Sequence, residues 1–269
     1  MNPDRLTAIL EAKKREVQDA RVKIPESALR EQAEKGGVTP RFVAALASPG
    51  PLGANIIAEI KRGSPSKGFI RRDLDAAAYA QAYERGGAAA ISVLTDREFF
   101  FGSPDDLRAV RASVRLPVLR KDFVVSEYQL YEAACWSADA VLLIVRALEP
   151  EQLTAYLKLC KELKLDALVE VHSLPELETA MGAGARLIGI NNRDLTTFKT
   201  DLQTSIDLVK RFDGERIAVA ESGIHSPSDI QRLRDAGIWN FLIGESIVRA
   251  DNPERFLGAL LGRPEEGKA

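Results

Sequence analysis

The chain has 269 residues, of which 45% are hydrophobic and 28% are charged, values close to those of ordinary globular proteins. Its formal net charge of -2 argues against the basic surface that a nucleic-acid-binding protein needs, so we expect no nucleic-acid partner. No segment reaches the roughly 18 consecutive apolar residues of a membrane span, and the first residues lack the apolar block of a signal peptide. These features favour a cytoplasmic protein with no membrane partner.

The chain has only two cysteines and two histidines, and their spacing is not that of a metal site. Cys135 and Cys160 lie inside helix-like stretches, so we interpret both as core residues. His172 and His225 are far apart in the sequence. We therefore expect no bound metal.

The first element along the chain is a helical extension over residues 1–54. Its charges follow an amphipathic helical period, and it contains no strand pattern. We expect its helices to be appended to the amino-terminal side of the fold that follows, without forming a separate domain.

Eight apolar runs of strand type follow, most of them separated by recognisable helical patterns. The runs are NIIAEIK from Asn55, AAISVLT from Ala89, PVLRKDF from Pro117, ADAVLLIV from Ala138, DALVEVH from Asp166, RLIGINN from Arg186, RIAVAES from Arg216 and NFLIGES from Asn240. Eight alternating strands and helices favour an α/β fold that closes as a single (β/α)8 TIM barrel, and an open doubly wound sheet is the alternative. The prediction is one domain over 1–269, with the barrel over 55–262 and a polar tail over 263–269.

Charged residues occur where a strand should be apolar. Because side chains alternate along a strand, Glu59 and Lys61 of the first run should point into the barrel, away from its helix-facing apolar set. The same parity points Lys121 and Glu170 inward, and Glu221 ends the seventh run. All five belong to odd-numbered strands, which supply a common layer of a barrel interior, so we expect them to meet at one mouth. Structural ion pairs are the alternative to a catalytic acid-base set.

Glycine and serine follow the seventh and eighth strands, where barrel enzymes often bind a phosphate through backbone N–H groups. Ser222 and Gly223 come after the seventh strand, and Gly244, Glu245 and Ser246 come after the eighth. Each sequence is also compatible with a simple turn. Their paired position favours a phosphate site.

Two further segments should lie at the same mouth. The loop 62–68 is rich in turn formers and is predicted to be a mobile lid, with an ordinary surface loop as the alternative. The run Phe99, Phe100, Phe101 follows the second strand. Three adjacent rings cannot all enter one core, so one ring at the mouth would suit a planar aromatic substrate while at least one other packs inside.

The motifs together resemble those of the indole-3-glycerol phosphate synthase family over almost the whole chain. They are AEIKRGSPSKG at Ala58 to Gly68, LRKDF at Leu119 to Phe123, LVEVH at Leu168 to His172, IGINNRDL at Ile188 to Leu195, AESGI at Ala220 to Ile224 and LIGES at Leu242 to Ser246. Phe101 departs from the pattern, because a polar residue is more usual there.

The resemblance implies that 1-(2-carboxyphenylamino)-1-deoxyribulose 5-phosphate is cyclised to indole-3-glycerol phosphate with loss of CO2 and water. It implies that Lys121 is the general acid, that Glu170 assists dehydration and that Glu59 orients Lys121 or shares its proton. Asn191 and Glu221 match supporting positions. The division of steps between Lys121, Lys61 and Glu170 stays open.

The resemblance also implies how this substrate is held. Lys61 would contact its carboxylate or phosphate, and Arg193 would make a further polar contact. The other polar and phosphate contacts would come from Ser64, Ser222, Gly223, Gly244, Glu245 and Ser246. The aromatic ring would lie among Pro65, Phe100, Phe123, Leu142, Leu195 and Leu242. No cofactor is needed because decarboxylation restores an aromatic ring. The expected partner is this small phosphorylated molecule, and the expected assembly is a monomer or homodimer.

Two other functions compete with this one. Another phosphate-binding barrel, such as a phosphoribosylanthranilate isomerase, would also use an acid and a base, but LRKDF and SPSKG argue against it. A catalytically silent barrel that serves as a scaffold should have lost Lys121 or Glu170. Both residues are present.

Overall fold

The structure, a computed structural model, describes residues 3–36, 39–65, 67–194 and 199–263. Eight parallel strands close into a barrel in the order β1-β10-β9-β8-β7-β6-β5-β4, which confirms the predicted (β/α)8 TIM barrel. The barrel strands are β1 (Asn55–Ile60), β4 (Ala90–Leu94), β5 (Val118–Lys121), β6 (Ala140–Ile144), β7 (Asp166–Val171), β8 (Leu187–Asn191), β9 (Ile217–Glu221) and β10 (Asn240–Ile243). A short antiparallel hairpin of β2 (Gly63–Ser64) and β3 (Gly68–Phe69) lies in the loop after β1.

Helices precede β1, occupy the connections between the barrel strands and follow β10. They are α1 (Pro3–Lys23), α2 (Glu26–Lys35), α3 (Phe42–Leu46), α4 (Ala76–Gly86), α5 (Pro104–Ser113), α6 (Glu127–Cys135), α7 (Pro150–Glu162), α8 (Leu174–Gly182), α9 (Gln203–Val209), α10 (Pro227–Asp235), α11 (Glu245–Arg249) and α12 (Pro253–Leu260). No helix in the described parts of the chain is long and apolar enough to cross a membrane.

Serine caps position several helices directly after the strands. Ser103 accepts a hydrogen bond from the N–H of Asp105 at the start of α5, and Ser226 accepts one from Asp229 at the start of α10. Proline follows each cap, where its missing N–H costs nothing because the first N–H groups of a helix have no intrahelical partner. Each cap therefore fixes the residue at which its helix begins after the strand.

Two apolar layers make up the core. The larger lies between the strands and the surrounding helices, and the smaller fills the barrel interior. Interior residues include Ile57, Leu119, Leu168 and Val219, all fully or almost fully buried. Their alternation with helix-facing residues confirms the side-chain parity inferred from the sequence.

The amino-terminal helices run from one end of the barrel to the other. As expected, α3 covers the amino-terminal end, where the N–H of Val43 donates to Asp166 at the start of β7. In contrast, α1 reaches the carboxyl end of the barrel. There its Lys13 contacts Asp96 and Asp122, which follow β4 and β5. The expectation that these helices lie on the amino-terminal side therefore holds for α3 and is wrong for α1.

Candidate active site

A cavity of about 180 Å³ opens at the carboxyl ends of the barrel strands. Every predicted site residue that the structure describes lines it, whereas Leu195 lies outside the described residues. The lining residues among those predicted are Glu59, Lys61, Ser64, Pro65, Phe100, Lys121, Phe123, Leu142, Glu170, Asn191, Arg193, Glu221, Ser222, Gly223, Leu242, Gly244, Glu245 and Ser246. The geometry brings these side chains together, and their individual roles stay predictions.

Lys121 is the centre of the charged cluster. Its Nζ lies 3.0 Å from Oε2 of Glu170 and 3.3 Å from Oε2 of Glu221. The lysine side chain is 13% exposed, and the two carboxylates are 6% and 2% exposed. A single ammonium is thus held between two nearly buried carboxylates and still faces the cavity.

Glu59 pairs with Lys61 instead of Lys121. Oε1 of Glu59 lies 2.5 Å from Nζ of Lys61. A Cβ at Gly244 would lie only 2.3 Å from Oε1 of Glu59, so the β10 loop passes this pair at a distance that only glycine allows. Direct contact to orient Lys121 therefore comes from Glu170 and Glu221.

Electrostatics favour the charged forms of Lys121 and Glu170. Burial by itself lowers the pKa of Lys121, but the negative charges of Glu170, Glu221 and Glu59 outweigh it and raise that pKa. Burial by itself raises the pKa of Glu170, but Lys121 and His172 outweigh it and lower that pKa. Both groups are ionised at neutral pH, so the lysine carries a proton that it can donate.

Glu221 titrates differently from Glu170. Burial, reinforced by the charges of Glu170 and Glu59 and opposed by Lys121, raises its pKa to about 7. Its Oε1 is buried without a hydrogen-bond partner in the described residues, and a Cβ at Gly189 would lie 2.0 Å from that atom. Glu221 can therefore exchange a proton near neutral pH.

Glu170 is fixed by two neighbours besides Lys121. The side-chain N–H of Asn191 donates to its Oε1 over 3.2 Å. Nε2 of His172 also lies 3.2 Å from Oε1, although without hydrogen-bond geometry, and Nδ1 of His172 lies 3.0 Å from Glu176. The two carboxylates raise the pKa of His172 to about 9 although burial alone would lower it. No sequence pattern indicated the contact between His172 and Glu170.

The loops after the neighbouring strands β9 and β10 lie side by side at the cavity. Ser222 and Gly223 have consecutive positive φ angles of 66° and 78°, which turn the chain sharply after Glu221. Gly244 precedes α11, whose first N–H groups have no intrahelical partner. Ser246 lies in this first turn, and its hydroxyl donates to the carbonyl of Ile224. Backbone N–H groups of both loops are thus available to an anion.

The remaining wall is apolar. The rings of Phe100 and Phe123 lie 6.1 Å apart and are tilted by 42°. Pro65, Leu142 and Leu242 complete this wall. The three consecutive phenylalanines do not share one environment, as expected: Phe100 lines the cavity, Phe99 packs against the barrel interior, and Phe101 stacks on Phe69.

The hairpin after β1 covers one side of the cavity and is anchored at both ends. The guanidinium of Arg62 makes a two-pronged contact with Asp106. Phe69 stacks on Phe101 with ring centroids 4.0 Å apart, and Arg72 lies over the other face of Phe69. Phe101, the one departure from the family pattern, therefore contacts the hairpin and not the cavity.

The cavity includes residues that the sequence did not indicate. They are Leu6, Leu94, Asp122, Ile144, Ile224, His225 and Ile243. Leu6 belongs to α1. The position of α1 at the carboxyl end of the barrel depends on tertiary contacts, so sequence patterns did not indicate that Leu6 lines the cavity. Within the described ranges no group of three or more His, Cys, Asp or Glu side chains is placed to hold a metal ion.

Comparisons with known proteins agree with the geometry. The family model of indole-3-glycerol phosphate synthase matches residues 6–260. An indole-3-glycerol phosphate synthase of Syntrophobacter fumaroxidans is 57% identical over 259 residues, covering 96% of this chain and 98% of the relative. One of Desulfosudis oleivorans is 52% identical with the same coverage.

Solved structures support the fold alone. A thiamine phosphate pyrophosphorylase from Pyrococcus furiosus superposes with a TM-score of 0.60 at 17% identity, covering 77% of this chain and 93% of that one. An N-acetylmannosamine-6-phosphate 2-epimerase from Clostridium perfringens gives a TM-score of 0.58 at 15% identity, covering 73% and 88%. At this identity the match concerns the barrel and not its chemistry.

Proposed function

Because the chain belongs to the indole-3-glycerol phosphate synthase family, we propose that its charged cluster carries out that family's reaction by general acid-base catalysis, with Lys121 and Glu170 as the principal groups. The enzyme is a carboxy-lyase of tryptophan biosynthesis. It cyclises 1-(2-carboxyphenylamino)-1-deoxyribulose 5-phosphate to indole-3-glycerol phosphate, with loss of CO2 and water.

The substrate binds with its phosphate between the loops after β9 and β10. The backbone N–H groups of Gly223, Gly244 and Ser246 supply donors, while Lys61 and Arg193 supply positive charge. Nε of Arg193 supports this role, since it is buried at the cavity without a hydrogen-bond partner in the described residues. The phosphate then anchors the sugar chain toward Lys121.

The aromatic ring lies against the apolar wall that contains Phe100 and Phe123. This placement directs the ring carbon that bears the carboxylate toward the keto carbon of the sugar. Both carbons belong to one molecule, so this placement selects the substrate conformation in which the two reacting carbons lie close together. The ring carbon then forms the new C–C bond, and the electron pair of the C=O bond moves to oxygen.

Lys121 protonates this oxygen as the bond forms. The developing alkoxide is a stronger base than an amine, so proton transfer from the ammonium is favourable although neighbouring carboxylates raise the pKa of Lys121. The same ammonium stabilises the negative charge before transfer is complete. The bond to the carboxylate then breaks, and CO2 leaves as the ring regains aromaticity.

Dehydration completes the reaction and needs a second acid-base pair. The hydroxyl must leave as water, and the five-membered ring must lose one proton to form the indole double bond. Glu170 accepts that proton, since it is ionised, lies 3.0 Å from Lys121 and is steadied by Asn191. Glu221, whose pKa is raised to about 7, returns a proton to Lys121 across 3.3 Å, and Lys121 donates that proton to the hydroxyl as it leaves as water.

The single observation that carries this assignment is the ammonium of Lys121 held between Glu170 and Glu221 at the cavity. The test is to incubate the purified protein with the carboxyphenylamino sugar phosphate and follow indole fluorescence. Lys121→Ala should reduce kcat by about 10²- to 10⁴-fold, the contribution of a general acid. Its far-UV circular dichroism should match that of the unmodified protein.

A matched control is Lys158→Ala, which removes a lysine that is 81% exposed on α7. This variant should keep full activity. Near-normal kcat in Lys121→Ala would contradict the assignment, and the absence of product from the unmodified protein would contradict the proposed reaction itself.

Cytoplasmic location and a monomeric or homodimeric state are also proposed. A substrate with a phosphate and a carboxylate is retained inside a cell because its charges oppose membrane passage.

In the described residues, large exposed apolar side chains are few, namely Val22, Ile24, Leu52 and Phe69. Sedimentation equilibrium would determine the assembly.

A further inference from the structure

We propose that Lys13 of α1 is a positioning residue for the reaction, because its buried ammonium ties together the two strand-end segments that present Lys121, Phe100 and Phe123 to the substrate. The inference rests on the proposed function. It assigns a part in catalysis to the amino-terminal extension, which sequence patterns predict only as appended helices.

The buried ammonium of Lys13 contacts three carboxylates. Its Nζ is 2.9 Å from Asp122, 3.0 Å from Asp96 and 2.7 Å from Glu16. The lysine is 2% exposed, and the side chains of Asp96 and Asp122 are each 1% exposed. A charge is buried so completely only when it is paired, and here one cation joins loops from two different strands.

Asp96 connects the ion pair with Lys13 to Phe100 of the apolar wall. Its Oδ1 accepts hydrogen bonds from the N–H of Phe99 over 2.7 Å and from the N–H of Phe100 over 3.1 Å. The turn that presents the Phe100 ring is therefore built around this carboxylate. Among the described residues, Lys13 is the only cation within 4.0 Å of Asp96.

Asp122 connects the ion pair with Lys13 to β5, the strand that ends at Lys121. It directly follows Lys121, and its carboxylate accepts hydrogen bonds from the N–H of Phe123 over 2.9 Å and from the hydroxyl of Thr95 over 2.6 Å. Arg120 holds the same carboxylate over 3.1 Å. Arg120 and Asp122, the two residues next to Lys121, are thus joined by an ion pair that fixes the backbone on both sides of Lys121.

Helix α1 also takes part in the cavity itself. Leu6, two turns before Lys13, lines the cavity. Anchoring of α1 by Lys13 therefore positions a wall residue of its own in addition to the two loops. A shift of about 1 Å in a catalytic group can cost on the order of 10²-fold in rate.

The test compares Lys13→Met, which keeps an unbranched side chain without charge, with Lys14→Met as the matched control. Lys14 is the next residue on α1, is 59% exposed and pairs only with exposed Glu11 in the described residues. We expect Lys13→Met to lower kcat and raise KM, with kcat/KM reduced by roughly 10- to 10²-fold. The dissociation constant of indole-3-glycerol phosphate should rise as well. Lys14→Met should match the unmodified enzyme in every measurement.

A merely structural role would lower the melting temperature and leave kcat and KM of the folded enzyme unchanged. Kinetics are therefore measured well below the melting temperature, with circular dichroism as the check on folding. The double variant Lys13→Met with Asp96→Asn removes the unpaired charge and should regain stability. Its kcat/KM should stay low because the ion pairs of Lys13 with Asp96 and Asp122 are still missing. Recovery of both quantities together would overturn the proposal.

If Lys13→Met does not fold, Asp96→Asn alone gives the answer. Asparagine keeps an oxygen acceptor for Phe99 and Phe100 but loses the ionic tie to Lys13. A roughly tenfold fall in kcat/KM supports the proposal, and unchanged kinetics overturn it. Turnover by the unmodified enzyme separates these results from a failure of the proposed function, which would abolish product in every sample.

Discussion

Glu221 is the residue in the charged cluster whose protonation changes near neutral pH. Its pKa is raised to about 7 mainly by burial, with Glu170 and Glu59 adding to the rise. Replacement by glutamine keeps the size of the side chain and removes the titration. In the pH profile of kcat/KM we expect an inflection near pH 7 that Glu221→Gln lacks. Its kcat should fall by less than the about 10²-fold loss typical of a principal acid or base.

A stability measurement checks the same pKa independently of activity. Because the folded pKa of Glu221 lies above the ordinary value of 4.5, the folded state binds the extra proton, and its ionisation destabilises the protein as pH rises from 4.5 to about 7. Glu221→Gln should remove that decline. Glu162→Gln, at a 59% exposed position on α7, serves as control and should leave both profiles unchanged. An unaltered inflection in Glu221→Gln would mean that another group titrates.

Residue parity explains why much of this cluster could be predicted from the sequence. Glu59 and Glu170 alternate with apolar residues in short strands, and Lys121 shares the parity of Leu119, so a barrel forces these side chains inward. Which lysine pairs with which carboxylate could not be predicted, because it depends on side-chain geometry within one layer. The roles of Lys13 and His172 were also invisible, since both depend on contacts between elements distant in the sequence.

At the scale of elements, the hairpin β2–β3 is the segment best placed to control access to the cavity. A Cβ at Gly63 would lie 2.4 Å from the carbonyl oxygen of Gly68 and 2.7 Å from the ring of Phe101. Gly63→Ala must therefore displace either the hairpin or the ring. We expect kcat and KM to change together, with kcat/KM reduced by up to about 10²-fold, because Ser64 and Pro65 of this hairpin line the cavity.

The control for Gly63→Ala is Gly182→Ala at the end of α8, where nothing lies within 4 Å of the added Cβ. Steady-state kinetics of both variants separate a local effect from a general effect of adding a methyl group. Unchanged kcat and KM in Gly63→Ala would show that the hairpin does not position the substrate.

The lid motion of loop 62–68 stays a prediction. Contacts of Arg62 with Asp106 in α5 and of Phe69 with Phe101 in the loop after β4 hold the hairpin in place. If its release limits product departure, kcat should fall as solvent viscosity rises. A kcat indifferent to viscosity, with equal backbone order in free and product-bound protein, would make the hairpin a fixed wall.

The fold at this scale was more predictable than the site, because strand and helix periods differ in every βα unit. The loop 62–68 shows the limit: turn residues excluded a helix, but the pairing of Gly63 with Phe69 depends on a ring stacked against Phe101. The position of α1 shows the same limit on a larger scale. Its amphipathic period predicted a helix and did not indicate which end of the barrel it covers.

For the whole molecule, His172 links stability to pH. Burial lowers its pKa, but Glu170 and Glu176 outweigh this and raise it from 6.5 to about 9. A folded-state pKa above the unfolded value stabilises the protein fully below pH 6.5, and this stabilisation is lost as pH rises toward 9. The loss is on the order of 3 kcal/mol. Urea unfolding of the unmodified protein and of His172→Asn across this range should show a steeper decline for the unmodified protein.

His225→Asn is the matched control for this measurement, since it replaces the other histidine of the chain at an exposed position. Its unfolding free energy should decline with pH as in the unmodified protein. If His172→Asn declines equally steeply, the charge of His172 contributes nothing to stability in this range.

The amino-terminal extension and the barrel share one core, which predicts that they unfold together. Ile9, Phe42 and Leu46 are fully buried and belong to the cluster that fills the barrel interior. Burying three such side chains contributes about 5 to 9 kcal/mol, which is comparable with the about 5 to 15 kcal/mol that stabilises a whole domain.

Removing residues 1–54 should therefore leave a chain that aggregates or lacks a cooperative thermal transition, whereas removing residues 264–269, part of the predicted polar tail, should not alter the transition. Circular dichroism melting and light scattering of the two truncated proteins provide the measurement. A fragment 55–269 that melts cooperatively near the temperature of the full chain would show that the extension is a separate unit, contrary to the single domain proposed here.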